Sequence, residues 1–556
     1  MKSEDSGKKL CDLCVIGSGP AGIIVAVEYA RLNPEKKILL VEYGYKDQGF
    51  ENGLDSSIIN MNPVNHHSPP ECTNKGLGGS TATWGGRCVM YDEVDFIDRP
   101  IIKNGCTWDI DLFNEVNNYI NTAAGYFECG CANFNLHNIP KFKNKRIVEN
   151  FAEGVVTDSV LERWSMPTRF GKRYKKEIAA CSNLSVIEAF EARDFSPPDA
   201  NGNISTLLVR NVKDKSVIGI ESKFFVLAAG AQETTRILLR NPQLFKLLGN
   251  VPDALGKYYQ GHLSGKISTV RFEGDPEKTE FGFLRDDDGT YLRRRFQFST
   301  DFLVKSNLLN TAIWLDNPLY YDPGHGSGAM SFIYLAMITP VLGKKLAPPS
   351  IAESITKRKI NGVRKHVWNV VKDLPGSLLT PAYIFYKRYC LKRKLPGVFL
   401  YSADNSYALH FHAEQIPDAD NRMVLDADGE TLVIHYNLSD EDVNSVIRVH
   451  HELDSWLRKF DCGELEYWFK AEELAAAIKL MSKDGIHQSG TTRIADTPDK
   501  GVVDKNLKVW GTQNLYVCSS SVFPTSGQAN PTFYLGAFAA RLAKYLTIIN
   551  EKNRTG

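Results

Sequence analysis

No internal repeat and no low-complexity tract interrupts the chain, which argues against repeat architectures and unstructured spacers. Neither charge dominates: 66 Lys and Arg stand against 65 Asp and Glu. The one basic segment carries no nucleic-acid recognition motif, so nucleic acid is not an expected partner. No stretch is long and uniformly apolar enough to span a bilayer. The eleven cysteines are odd in number and show no disulfide-scaffold spacing, so reduced thiols are expected. Cys11-x-x-Cys14 has no second pair at zinc-like spacing, and Cys129-x-Cys131 reads the same way. Met1 to Lys9 is polar and runs at once into an apolar strand, leaving no room for a signal peptide and pointing to the cytoplasm. What remains is globular in composition, 43% hydrophobic and 24% charged, and 556 residues call for more than one core.

What is present begins with an apolar run, Leu13 to Ile16, entering Gly17-Ser18-Gly19-Pro20-Ala21-Gly22 and then an alanine-rich helix. A second apolar run, Ile38 to Val41, ends on Glu42, twenty residues beyond Gly22. This strand-turn-helix-strand pattern has dinucleotide spacing. Gly17 suits the tight turn, Gly19 lets backbone N–H groups approach a pyrophosphate, and Gly22 lets helix and strand pack closely. Glu42 is expected to accept hydrogen bonds from ribose hydroxyls and to repel a 2′-phosphate. FAD or NAD fits this fingerprint better than NADP.

The stretch from Gly49 to Gly86 reads as a long functional loop whose glycines let backbone approach something flat or charged. Strands are expected at 183–187, around 207–209, and at 223–230 entering a helix at 232–239. The fold class expected is α/β: a Rossmann-like domain interleaved with an α+β domain on a largely antiparallel sheet. The boundaries expected are 1–258 for the nucleotide domain, with a cofactor loop at 49–90 and some substrate-side segments in 91–180. Residues 259–459 are expected to form the substrate domain with a basic insertion at 340–398, and 460–556 to return to the nucleotide fold.

Four separated motifs resemble the glucose-methanol-choline (GMC) flavoprotein oxidoreductases. They are the fingerprint ending in Val41-Glu42-Tyr43-Gly44, the loop Gly78-Gly79-Ser80-x-x-x-Trp84, the helix start Ala229 to Arg236, and a C-terminal block. The block holds His487-Gln488-Ser489-Gly490-Thr491, Asn514 to Val517, Ser521 to Pro524 and Asn530-Pro531. The resemblance implies FAD as the dinucleotide and the family's catalytic pair at His487 and Asn530, as in the sugar-oxidising and sterol-oxidising branches. A histidine titrates in the range needed to take a hydroxyl proton as hydride leaves carbon, and an asparagine can hold the alkoxide.

The resemblance also implies cofactor contacts at Gly79, Ser80, Thr83 and Trp84, and at Val186, Ala229, Ser519, Ser520, Pro531 and Thr532. Thr83 stands where some relatives carry a flavin-linked histidine, so FAD is expected to be noncovalent. Ser519 stands where many carry an aspartate. His410, His412 and Glu414 alternate along a probable strand and could describe a metal site, but the family needs none, and pocket or structural roles are expected. His66-His67 are expected to be solvated or near the cofactor entrance.

The expected function is FAD-dependent oxidation of a CH–OH group on a sugar, glycoside or related polyol, a dehydrogenase in preference to an oxidase, with the electron acceptor unread. Alternatives are a sterol or lipid-linked alcohol, lyase chemistry on the same scaffold, or a binding protein with a vestigial pocket. Lys344 to Lys394 is strongly cationic, flanked by nearly charge-free stretches at 329–342 and 374–386. Two readings of 329–395 stay open: peripheral contact with anionic lipid, or a soluble lid with a solvated basic face.

Overall fold

The computed structural model describes residues 8–45, 57–103, 106–339, 360–402 and 404–555. The first strand, β1 (Lys8–Ile16), begins exposed and ends with Leu13 to Ile16 wholly buried, as a strand covered on both faces must. Gly17 turns the chain with φ +101°, and a Cβ there would meet the Ala228 carbonyl oxygen at 2.5 Å. Helix α1 (Pro20–Leu32) starts with proline at its first turn and returns the chain to β2 (Ile38–Glu42), parallel to β1. Gly22 is fixed by packing: a Cβ would lie 1.9 Å from the Gly17 carbonyl oxygen.

Seven strands form this sheet in the order Leu184–Glu188, β2, β1, Val217–Leu227, Thr206–Asn211, Phe190–Phe195, with Leu515–Val517 also beside Val217–Leu227. Pairing is parallel except that Thr206–Asn211 runs antiparallel to both of its neighbours, Val217–Leu227 and Phe190–Phe195. The C-terminal helix Pro531–Thr555 packs against α1.

A second sheet is antiparallel, ordered Thr311–Asp316, Ser406–Glu414, His262–Phe272, Gly463–Tyr467. Helices Asp440–Lys459 and Ala471–Met481 share its core through Val446, Leu453, Leu474 and Ile478. Gly463–Tyr467 and Ala471–Met481 therefore belong with this sheet, and the return to the nucleotide fold begins later than residue 460. The reason is burial: both segments carry apolar side chains that only the antiparallel sheet covers. Val94, Val148 and Phe151 join the same core from the first third of the chain. Three further sheets, of four, two and three strands, lie among the described residues, and the α/β class is as expected from the sequence. All eleven cysteines are free thiols.

Part of the long loop, 46–56, and much of the basic insertion, 340–359, lie outside the described residues. The rest of the loop folds back over the fingerprint turn, with the Gly78 N–H donating to the Ser18 carbonyl at 2.8 Å.

Candidate active site

Three helices, α1, Gly230–Arg240 and Pro531–Thr555, start at one recess of about 220 Å³ between the nucleotide sheet and the folded-back loop. Their unpaired N-terminal N–H groups and dipoles make its floor favourable to a diphosphate. Of the positions expected at a cofactor, Gly17, Gly19, Glu42, Gly79, Ser80, Trp84, Ala229, Ser519, Ser520, Pro531 and Thr532 line this recess. Gly22 lies behind it as a packing residue. Two positions do not join them. Thr83 is exposed and accepts a 2.8 Å hydrogen bond from Asn74 Nδ2, because the turn over Gly79–Ala82 points it outward. Val186 lines a separate surface recess beside Tyr45, Leu77 and Gly171, since its side chain leaves the opposite face of the edge strand.

Glu42 is more engaged than expected. Its Oε1 accepts from the Gly44 N–H at 2.7 Å and the Gly76 N–H at 2.8 Å, and its Oε2 accepts from the Ser18 hydroxyl at 2.6 Å and the Ser18 N–H at 3.0 Å. The carboxylate ties fingerprint, strand end and folded-back loop together, and a ribose would have to exchange with some of these donors.

His487 stands at the recess wall: Ile486 and Gln488 on either side of it line the recess, as do Pro531 and Thr532 after Asn530. The Asn530 amide nitrogen lies 2.6 Å from His487 Nε2. An amide N–H can only donate, so Nε2 is the lone-pair nitrogen and the proton sits on Nδ1. That Nδ1 is 3.3 Å from Asp484 Oδ2, close enough for attraction but not aligned as a hydrogen bond.

Asp484 is the hub. Oδ1 accepts from the N–H groups of Gly485, Ile486 and His487 at 2.8, 2.9 and 3.1 Å, and Oδ2 accepts from the His262 N–H at 2.8 Å and its Nδ1–H at 3.1 Å. Burial by itself would raise this carboxyl, but His487 and His262 hold it well below the usual carboxylate range. His262 stacks on His412 at 4.1 Å, and His412 Nδ1 donates to the Gln528 carbonyl at 2.8 Å. Burial lowers both imidazoles, at His262 against the opposing pull of Asp484 and at His412 strongly, with His262 and Arg87 adding to the effect, so both are neutral at neutral pH.

The nitrogens of His262, His412 and His487 lie within 4.8 Å of one another, the one group among the described residues with that metal-ligand geometry. The Asn530 amide occupies the His487 lone pair such a metal would need. His410 sits apart, stacked on Trp314 at 4.6 Å and 2.9 Å from the Ser264 hydroxyl. Glu414 joins neither: it is buried in a bidentate pair with Arg99 at 2.7 and 2.8 Å. His66 is not solvated. It is buried, 2.7 Å from the Tyr259 hydroxyl, and its backbone pairs beside Asp484. Asp484 and His262 escaped the sequence reading. The only signal was an acid three residues before His487; nothing local marks His262.

Residues 417–539 match the family model of the GMC oxidoreductases. Over 152 residues the chain is 27% identical to a 2-methyl-1,2-propanediol dehydrogenase of Mycolicibacterium austroafricanum, a match covering 26% of this chain and 25% of that protein. An FAD-dependent oxidoreductase from Chaetomium thermophilum is similar in structure with TM-score 0.53 at 14% identity, covering 98% of this chain and all of that one. A formate oxidase superposes with TM-score 0.51 at 14% identity, covering 98% of this chain and 100% of the other.

Proposed function

We propose that this chain is a GMC oxidoreductase, a reading supported by the family match at residues 417–539, and that it binds FAD noncovalently in the recess and oxidises a CH–OH group. The observation that carries the reading is the 2.6 Å contact of Asn530 with His487 Nε2 at the wall of a recess lined by the fingerprint residues Gly17, Gly19 and Glu42. The nucleotide sheet is the cofactor half and the antiparallel sheet the substrate half.

FAD, when bound, supplies the hydride acceptor. His487 Nε2 takes the hydroxyl proton, and Asn530 is displaced onto the substrate oxygen, where its amide N–H holds the developing alkoxide. Asn530 Oδ1 is buried without a partner, a polar atom that a substrate hydroxyl would satisfy. Once His487 carries the proton, Asp484 at 3.3 Å stabilises it. Neutral His262 and His412 add no opposing charge and offer polar edges to further hydroxyls. This supports a sugar, glycoside or polyol as substrate.

The test is an anaerobic visible spectrum of the purified protein with a panel of sugars, glycosides, small diols and sterols. Bleaching of the oxidised-flavin band by one class, abolished in His487→Ala with flavin retained, is the expected result. A flavin band that no alcohol bleaches would turn the reading to nonredox chemistry on the same scaffold.

A further inference from the structure

The chain leaves the antiparallel sheet at Asp316 and rejoins it at Ser406, and in between lies a helical insert rather than a short hairpin turn. Its described helices are Gly328–Ile338, Val363–Lys372 and Leu374–Phe385. A helix on the surface of a soluble protein turns polar side chains outward and apolar ones inward. The last two helices do the reverse.

Their buried positions are His366, Asn369 and Ser377. His366 Nδ1 lies 3.0 Å from the Ser331 hydroxyl and its ring stacks on Tyr334, Asn369 Nδ2 donates to the Pro323 carbonyl at 3.0 Å, and Ser377 bonds the Val370 carbonyl at 3.2 Å. Gly328 makes the crossing tight, since a Cβ there would lie 2.2 Å from the Ser377 hydroxyl. The outward positions are Trp368, Val371, Leu374, Leu378, Leu379 and Tyr383, each between 51% and 70% exposed. About half of all exposed large apolar side chains in the described structure fall between Ile360 and Tyr389. Helices that bury His366, Asn369 and Ser377 while leaving this many large apolar side chains outward are suited to an apolar surround.

Charge says which surround. Arg364, Lys365, Lys372, Lys392 and Lys394 are exposed on and beside the two helices. Asp373, the only acid from 363 to 394, is spent on capping the Gly376 N–H at 3.1 Å. Helices of 10 and 12 residues cannot cross a bilayer, and no helix among the described residues is long and apolar enough to do so. Apolar side chains at headgroup depth ringed by lysine and arginine are the two signals that hold a protein in one leaflet.

We propose that the insert docks this protein on the surface of a membrane carrying anionic lipid, with Trp368, Leu378 and Leu379 among the inserted side chains. The insert is rooted beside the candidate active site. Leu400 N–H donates to Asn317 Oδ1 at 2.8 Å, clipping its two ends together, and Arg393 donates to the Glu128 and Trp164 carbonyls. Trp314, two residues before the insert departs, stacks on His410 and lies 6.3 Å from His412, itself 5.4 Å from His487. A docked enzyme would meet an alcohol borne by a lipid at the site without that alcohol crossing water.

The test is flotation of the flavin-loaded protein with vesicles of phosphatidylcholine alone or with 30% phosphatidylserine, roughly the regime in which two weak signals suffice. Expected is binding to the anionic vesicles that weakens at least about tenfold in Leu378→Asp/Leu379→Asp, and comparably in 0.5 M salt for the electrostatic part. Thermal midpoint and flavin content report that the variant is folded. These readouts do not depend on which alcohol is oxidised. No binding to anionic vesicles, or equal binding to neutral ones, overturns the proposal. So does a wild-type dimer in solution that the same variant converts to monomer, which would make a second copy of the chain the true occupant of this face.

Discussion

Asp484→Asn tests the organisation of the candidate site more sharply than removal of the histidine itself. The side chain keeps its size but can accept on one side only. If its carbonyl stays on the Gly485, Ile486 and His487 N–H groups, its amide N–H₂ faces the His262 N–H and Nδ1–H, donor against donor. Two hydrogen bonds to a buried carboxylate are lost, each contributing about 1.5–3 kcal/mol when charged. Stability should therefore fall by roughly 3 kcal/mol. The rate should fall further. The proton taken up by His487 loses a carboxylate 3.3 Å from Nδ1, an attraction of about 5 kcal/mol at an effective dielectric of 20, part of which solvent and the remaining amide dipole replace. A net loss of about 3–4 kcal/mol is a 10²–10³-fold drop in the rate of flavin bleaching. Anaerobic stopped-flow measures that rate directly, with KM and flavin content as controls. A variant that holds full flavin and bleaches within threefold of wild type would refute the assignment of Asp484 as the positioning residue.

Glu414→Ala leaves Arg99 charged and buried without its partner, and denaturant titration should show a loss of about 3–5 kcal/mol, less for a paired replacement of both by methionine. Gly22→Ala forces a Cβ into the Gly17 carbonyl, so the variant should purify with little flavin or not fold, as absorbance at the flavin band against protein reports. His450 is buried with Nδ1 2.7 Å from the Val446 carbonyl, and burial lowers it to about 4 from an ordinary 6.5. Its folded value is depressed, so its stabilising share is present above pH 6.5 and is lost as pH falls toward 4, at about 1.4 kcal/mol per unit. Urea denaturation of wild type and His450→Leu should converge by roughly 2.5 kcal/mol between pH 7 and pH 4.5. Parallel pH dependences in the two proteins would show that His450 titrates alike in the folded and unfolded states, and would refute the depressed folded value.

Much of the nucleotide half was legible because its signals are local. The runs Leu13 to Ile16 and Ile38 to Val41, the glycine spacing and Glu42 lie within thirty residues, and strand pairing of neighbours needs no long-range information. His487 and Asn530 were legible for a different reason: each sits in a motif that resembles a known family, so their residue types carried the expectation across the 43 residues between them. Thr83 and Val186 fall outside the lining of the recess because a motif specifies a segment, not the direction in which each of its side chains points. Helix orientation in a 3-10 turn and the outward face of an edge strand decide that, and both depend on the neighbours.

Tertiary structure alone decided the rest. Asp484 meets His262 across 222 positions, and His412 meets His487 from the neighbouring strand Ser406–Glu414, so no window of sequence could contain the cluster. The inverted polarity of the insert is of the same kind. The sequence between Ile360 and Tyr389 shows apolar and basic residues in mixture, and which of them face inward is set by where Ser331, Pro323 and Gly328 pack against it. Covalent neighbours determine which elements form and which chemistry is at hand; only the closing of distant segments on one another determines which groups share a charge, a proton or a surface.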